Sequence, residues 1–150
     1  IRGPYFRVHA TARGVMRDTV ETAITWNRYF DLERKVKAAI RRAIRDETGR
    51  EGTCTVRFTH LYPDGPAPYF TWHAFGDKAR LPEQFRAIKA AGADAMVEAG
   101  GTITHHHAIG RDHRQWYDRQ RAPLFAAAFK GAKSRLDPQS VMNPGVLVDC

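Results

Sequence analysis

A hairpin near the middle of the chain constrains the fold more than any other stretch of the sequence. Two runs rich in aromatic and β-branched residues, Thr53–Tyr62 and Tyr69–Gly76, flank the turn sequence PDGPAP. Such runs favour strands, and the turn between them predicts an antiparallel pair. An isolated hairpin is marginally stable in water, so one face of the pair must be buried against other elements. Alternation along the first strand predicts one shared face for four side chains: Cys54, Val56, Phe58 and His60.

Two amphipathic segments supply the helices that such a sheet needs. Apolar residues recur at spacings of three and four after Trp26, and this stripe predicts a helix that stops at Gly49. A second helix is predicted from Leu81, with Pro82 in its first turn and a Gly pair after its end. The first stripe comprises Leu32, Val36, Ile40, Ala43 and Ile44, and the second comprises Phe85, Ile88, Ala91 or Gly92, Ala95 and Met96.

The order of the predicted elements indicates an α+β fold. A strand is predicted over Val15–Trp26, and the sequence TITHHHAIG at 102–110 is a candidate fourth strand. The resulting βαββαβ order is the ferredoxin-like plan, an antiparallel sheet with both helices on one face. A helix over Arg114–Asp137 follows, in which Pro123 marks a start or a kink, and then a tail with an NPG turn.

The length of 150 residues suits one domain over 1–150. Because the first residue is Ile rather than Met, we expect the chain to start within a larger protein. Two cysteines give no disulfide framework: Cys54 is predicted to be a buried free thiol, and Cys150 is terminal. This cysteine usage favours a reducing, cytoplasmic compartment.

The net charge of the chain limits the classes of partner that it could bind but does not identify one. A formal net charge of +8 attracts phosphates, nucleic acid or an anionic membrane. The basic residues of the first helix avoid its apolar stripe, so a solvated helix face accounts for them. Aromatic residues are not interleaved with them and no RNP motif is present, so we expect no nucleic-acid partner. Peripheral contact with an anionic membrane stays open.

Three consecutive histidines, His105, His106 and His107, are the strongest candidates for chemistry. They lie between Gly100–Gly101 and Gly110, where glycines would let a ligand approach the backbone. In an extended segment only His105 and His107 share a face, and a catalytic zinc needs three suitably directed ligands, so the pattern does not favour a metal. Two interpretations stay open: an exposed cluster without chemistry, or imidazoles in a cleft that donate and accept protons near neutral pH.

Several motifs taken together resemble a known family. GGTITHHHAIGRDHRQW followed by LDPQSVMNPGVL, with PYFR, TVETAITW and the hairpin sequence before them, is similar to the C-terminal domain of FAD-linked oxidases of the vanillyl-alcohol-oxidase superfamily. Within it, the triple His resembles the alkyldihydroxyacetonephosphate synthase branch. The resemblance implies a cap domain over an FAD held mainly by an upstream domain. It also implies exchange of an acyl group for a fatty alcohol in ether-lipid synthesis.

The resemblance further implies how the substrate, a lipid phosphate or another small molecule, is bound. Arg7 falls on the family arginine that meets the substrate phosphate, and a guanidinium suits this role because it donates two parallel hydrogen bonds. Thr19 falls on a hydroxyl residue near the substrate. The resemblance also implies that His105 lies next to the substrate.

For catalysis, the resemblance implies Tyr69 as the active-site tyrosine. His106 and His107 fall on histidines that move protons at the reacting carbon. The expected contacts of this chain with FAD are His106, His107 and Asn143, the last of these in the NPG turn.

Two other functions stay open at this point. One is an FAD-linked oxidase or dehydrogenase that acts on a 2-hydroxy acid or an alcohol. The other is a non-catalytic basic α+β module that binds an anionic ligand. The isolated chain is expected to be inactive in every case, and a homodimeric assembly stays open.

Overall fold

The structure, a computed structural model, describes residues 7–149, with side chains from His9 onward. Over this range the chain forms two compact units, and the boundary lies between His105 and His106. Each unit has its own helices and its own buried residues. That residues 1–150 act as one domain stays a prediction.

The first unit is built on an antiparallel sheet in the order β1-β3-β2. β3 is central, and its pairing with β2 confirms the hairpin predicted from the PDGPAP turn. Both long helices predicted from the sequence are present. The strand ends differ from the prediction: β1 ends earlier, at Glu21, and β3 begins earlier, at Pro66. The elements are α1 Arg7–Ala12, β1 Val15–Glu21, α2 Trp26–Thr48, β2 Thr53–Leu61, β3 Pro66–Phe75 and α3 Leu81–Glu98.

One face of the sheet forms the core with α2 and α3. Val20, Phe70 and Trp72 are at most 2% exposed, and the Trp72 ring lies 5.5 Å from that of Phe85 in α3. Most of the predicted helix stripes are buried in the same core, whereas Ala43 and Phe85 are half-buried at its edge. The fully buried members are Leu32, Val36, Ile40, Ile44, Ile88 and Met96.

α2 ends where the sequence predicts. Gly49 adopts a left-handed conformation with a φ of 66°, and its N–H donates to the Arg45 carbonyl. Glycine suits this position because it has no Cβ to clash in that conformation. The predicted α+β class is confirmed by this sheet and its helices.

The fourth strand predicted over 102–110 is wrong. Within the described residues the sheet has three strands, and this segment forms no strand. Side chains take the place of ladder partners here: the Ala23 N–H donates to Thr102 Oγ1 at 3.0 Å, and the His105 N–H donates to the Glu21 carboxylate at 2.8 Å. Side-chain groups that bond to nearby backbone in this way compete with a regular ladder.

The predicted placement of His60 beside Cys54, Val56 and Phe58 is also wrong. Phe58 pairs with Pro68, but His60 pairs with Ala67, so the register shifts by one residue between them. This β-bulge moves His60 to the other face of the sheet, because side chains alternate with a period of two. Alternation within one strand could not have revealed the extra residue.

The second unit begins at His106 and contains α4 Arg114–Gln120 and α5 Pro123–Leu136. The single helix predicted here is therefore two, and Pro123 starts the second, where a missing N–H has no cost. The C-terminal tail is held by Arg114, which contacts Asp149 at 2.8 Å, and by Arg121, which donates to the Leu147 carbonyl at 2.8 Å. No helix within residues 7–149 is both long and apolar enough to cross a bilayer.

Gly65, in the turn between β2 and β3, is expected to tolerate no side chain. A Cβ there would lie 1.9 Å from the Ile24 carbonyl oxygen, which is backbone and cannot move aside easily. We expect Gly65→Ala to lower the free energy of unfolding by about 1–3 kcal/mol. Equilibrium urea denaturation measures this loss.

A matched glycine in α5 serves as the control for this prediction. A Cβ on Gly131 meets nothing within 4 Å, so Gly131→Ala should raise the free energy of unfolding by up to about 1 kcal/mol through helix propensity. Equal stability of Gly65→Ala and the unsubstituted chain would contradict the close approach of the two backbones.

Candidate active site

The face of the sheet opposite α2 and α3 carries polar side chains, and we call it the polar face. The strand register arranges them in cross-strand rows. Such rows bring side chains from three separate segments within reach of one another. From one row to the next the members are Arg57, Tyr69 and Glu21; Thr55, Thr71 and Thr19; and Thr53, His73 and Arg17.

Two predicted site residues meet on the polar face. The hydroxyl of Tyr69 donates to Thr19 Oγ1 at 3.1 Å, across 50 residues of sequence. Because Thr19 accepts this bond, its own hydroxyl hydrogen can serve a further acceptor. The guanidinium of Arg57 lies 4.8 Å from the centre of the Tyr69 ring, so a positive charge adjoins the phenol. Arg57 is not among the site residues predicted from the sequence.

His105 lies in the first unit with two aromatic partners that the sequence analysis also missed. Its Nε2 is 3.1 Å from the hydroxyl of Tyr62. Its ring centre is 5.0 Å from that of His60, which stacks parallel to Tyr62 at 6.0 Å. The bulge in β2 makes this cluster, because without it His60 would face the helices.

His60 and His105 belong to a group of residues whose ring nitrogens could hold a metal ion. The ring nitrogens that could bind an ion lie within 4.8 Å of each other.

The second unit holds the other two histidines of the run, His106 and His107, together with Asn143. The rings of His106 and His107 are in edge contact, with centres 4.7 Å apart; His106 is exposed and His107 half-buried. Asn143 adopts a left-handed φ of 48° in the NPG turn. It lines an apolar groove of about 270 Å³ between α5 and the tail, whose walls include Phe129 and Leu136.

The predicted substrate arginine, Arg7, is the first residue of α1. Its side chain lies outside the described part of the structure. Cys150 likewise lies outside it.

A cleft of about 380 Å³ adjoins the hairpin turn in the first unit. Tyr62, Arg28 and Asp64 line it together with the backbone of Gly65 and Gly100. The Arg28 guanidinium is anchored at its edge, where it donates to the Ala99 carbonyl at 2.7 Å. The cleft thus adds space for a ligand next to the Tyr62–His105 contact.

Protonation on the polar face is shaped by burial and by nearby cations. Burial lowers the pKa of His73, and the charge of Arg17 lowers it further. A lowered pKa keeps this imidazole neutral at pH 7. His73 can therefore accept a hydrogen bond from a ligand on this face.

Cys54 is confirmed as a buried free thiol, and we expect it to be chemically inert. Burial raises its pKa to about 11 from 9.0, which leaves about 100-fold less thiolate at neutral pH. In a Cys150→Ser variant, a thiol reagent at pH 7 should label Cys54 at least about 100-fold faster in unfolding urea (about 8 M) than in buffer. Equal labelling rates would contradict its burial.

Comparison with known proteins identifies the family of this chain. Residues 3–147 match the family model described as FAD linked oxidases, C-terminal domain. The chain is 30% identical over 148 residues to an alkyldihydroxyacetonephosphate synthase of Caenorhabditis elegans, covering 97% of this chain and 25% of that protein. It is 28% identical over 145 residues to the synthase of Trypanosoma brucei brucei, with 97% and 24% covered.

More distant similarities point the same way. An uncharacterized FAD-linked oxidoreductase of Escherichia coli, YgcU, is 24% identical over 148 residues, with 94% of this chain and 30% of that protein covered. A solved structure of an alkyldihydroxyacetonephosphate synthase superposes with a TM-score of 0.62 at 18% identity, over 95% of this chain and 22% of that one. At this identity the superposition shows the shared fold.

The chain spans about a quarter of the length of the synthases that it matches. The resemblance inferred from the histidine run, the hairpin and the tail is confirmed, since the family match extends through all three. This chain belongs to the family of C-terminal domains of FAD-linked oxidases.

Proposed function

We propose that this chain is the substrate-facing cap domain of an FAD-dependent enzyme similar to alkyldihydroxyacetonephosphate synthase. Such an enzyme exchanges an acyl group for a fatty alcohol in ether-lipid synthesis. The observation that carries the proposal is the Tyr69–Thr19 hydroxyl pair, 3.1 Å apart on the polar face. Similarity to two synthases over 97% of the chain supports it.

The polar face has donors that suit a flavin. Phenol and guanidinium groups donate hydrogen bonds, and a flavin ring presents carbonyl oxygens and ring nitrogens that accept them. FAD would be held mainly by an upstream domain, with His106, His107 and Asn143 as the proposed contacts from this chain. When bound, FAD would supply an electrophilic ring system for the reacting carbon.

The substrate phosphate is proposed to bind Arg7, because an arginine offers phosphate two parallel donors. Thr19 is proposed to contact the substrate through the hydroxyl hydrogen that Tyr69 does not use. His105 would lie beside the substrate, with its ring oriented by Tyr62.

Proton transfer is proposed for Tyr69, His106 and His107. The acyl group leaves as a carboxylate and the entering alcohol must lose a proton, so the site needs groups that both donate and accept. Imidazole does this near neutral pH. Tyr69 contributes a phenol whose acceptor, Thr19, can pass a hydrogen bond onward.

A second candidate function is an FAD-linked oxidoreductase that acts on a 2-hydroxy acid or an alcohol. The similarity to the E. coli oxidoreductase supports it, at a lower identity than the synthases show. No observation favours the third alternative, a non-catalytic module that binds an anion.

The test is made on the full-length protein. We expect it to purify with bound FAD and to exchange acyloxy for alkoxy groups on an acylated dihydroxyacetone phosphate without bleaching the flavin absorbance. Bleaching by a 2-hydroxy acid, without exchange, would favour the oxidoreductase. A colourless protein that binds no added FAD would refute both enzymes and leave the anion-binding module.

Location and assembly complete the hypothesis. We propose a cytoplasmic protein that contacts a membrane peripherally and forms a homodimer, with no nucleic-acid partner. The net charge of +8 supports contact with anionic lipid.

A further inference from the structure

A buried carboxylate at the end of β1 has no role in the function described so far. Glu21 is 2% exposed, although it belongs to the polar face and pairs with Tyr69 in the strand register. Burying a carboxylate is costly unless hydrogen bonds compensate it. The partners of this carboxylate therefore indicate what it does.

Glu21 binds the loop that carries the histidines. The His105 N–H donates to both carboxylate oxygens, at 2.8 Å and 3.0 Å, and the Thr104 hydroxyl donates to Oε1. Bonds to an ionised acceptor are stronger than neutral ones. The carboxylate thus connects the row of Tyr69 to a loop more than 80 residues away in sequence.

The same loop is attached at its base by a separate set of bonds. Thr22 Oγ1 donates to the Thr102 carbonyl at 2.6 Å, and Thr102 Oγ1 accepts from the Ala23 N–H at 3.0 Å. These bonds do not involve Glu21, so the loop stays attached to the segment just after β1 without it. What Glu21 adds is the placement of residues 104 and 105.

Placement of this backbone decides where the His105 ring lies. The peptide N–H is held by Glu21 on one side, and Nε2 lies 3.1 Å from the Tyr62 hydroxyl on the other. A residue fixed at both its backbone and its ring has little freedom to shift. Displacements of about 1 Å in an active site lower rates by about 100-fold.

We propose that Glu21 is a positioning residue, which holds the Thr104–His105 backbone so that the His105 imidazole stays beside Tyr62 and His60. Glu21 acts through His105 and does not touch the substrate itself. This inference rests on the proposed enzymatic function for its kinetic consequence, and on the hydrogen bonds alone for its structural one.

Glu21→Gln in the full-length, FAD-loaded protein tests the proposal. Gln has the same shape, but it is uncharged and keeps only one of the two oxygens that accept the His105 N–H. Hydrogen-exchange mass spectrometry on a peptide that contains residues 104 and 105 should show exchange faster by roughly tenfold. The kcat should fall by roughly tenfold while KM stays within about twofold.

Two further variants separate positioning from loss of structure. Thr104→Val removes one partner of the carboxylate, and combined with Glu21→Gln it should lower kcat by less than the product of the single effects. Asp18→Asn is the matched control: Asp18 is on the same strand but pairs with Lys89 at 3.1 Å. We expect this control to leave kcat and the exchange at residues 104 and 105 unchanged.

Each outcome decides the proposal. Exchange at residues 104 and 105 that stays at the wild-type rate in Glu21→Gln overturns it, and so does an unchanged kcat. A rise in KM that accompanies a lower melting temperature overturns it in favour of a general structural role. If the wild-type protein shows no flavin-dependent turnover at all, the proposed function fails, and the exchange rates alone then confirm or overturn the placement by Glu21.

Discussion

Tyr69→Phe is expected to lower the kcat of the full-length enzyme by roughly two orders of magnitude, the typical contribution of a general acid–base group. The substitution removes the phenol that donates to Thr19 at 3.1 Å and leaves the ring under Arg57 in place. His106→Ala is expected to have an effect of the same size. Steady-state turnover, with flavin absorbance used to confirm equal FAD loading, measures both.

Matched controls are available for both substitutions. Tyr117 in α4 is a half-buried phenol under an arginine, Arg121, and Tyr117→Phe should leave kcat unchanged. His9 is an exposed imidazole in α1, so His9→Ala is the control for His106→Ala and should leave kcat unchanged. Wild-type turnover in Tyr69→Phe and His106→Ala would remove these residues from the proposed mechanism.

Trp72→Ala is expected to give the largest loss of stability, about 3–5 kcal/mol in the free energy of unfolding. Trp72 is fully buried on the central strand between the sheet and α3, where it contacts Phe85. Removing it leaves a cavity that its close-packed neighbours cannot fill. Equilibrium urea denaturation of the 150-residue chain, followed by far-UV circular dichroism, measures the loss.

Phe75, three residues along the same strand, is the control. It is 54% exposed, so Phe75→Ala should cost less than about 1 kcal/mol. Similar losses in the two variants would mean that the helices do not cover the sheet as described.

The polar face is relevant to both enzyme hypotheses. In both hypotheses Tyr69 and Thr19 are the proposed hydrogen-bond donors near the reacting carbon. What separates the two functions is the fate of the flavin electrons. Bleaching of the flavin absorbance therefore distinguishes the synthase from the oxidoreductase more directly than sequence similarity does.

Local patterns determined much of this protein. The 3.6-residue stripes predict α2 and α3, the turn residues predict the β2–β3 hairpin, and Gly49 marks a helix end. These features depend on neighbours within a few positions, so they can be read along the chain. Alternation also puts Thr19 and Glu21 on one face of β1, and this is the sequence signal that points to Glu21.

Tertiary structure alone decided where the His60–His105 cluster and the 102–110 loop lie, because both depend on hydrogen bonds between segments that are distant in sequence. The bulge that turns His60 toward His105 is visible only in the pairing of β2 with β3. The fourth strand gives way to a loop because the Glu21 carboxylate, far away in sequence, takes the N–H of His105. A pattern within one segment cannot report a partner in another, whereas the folded chain brings the two within hydrogen-bonding distance.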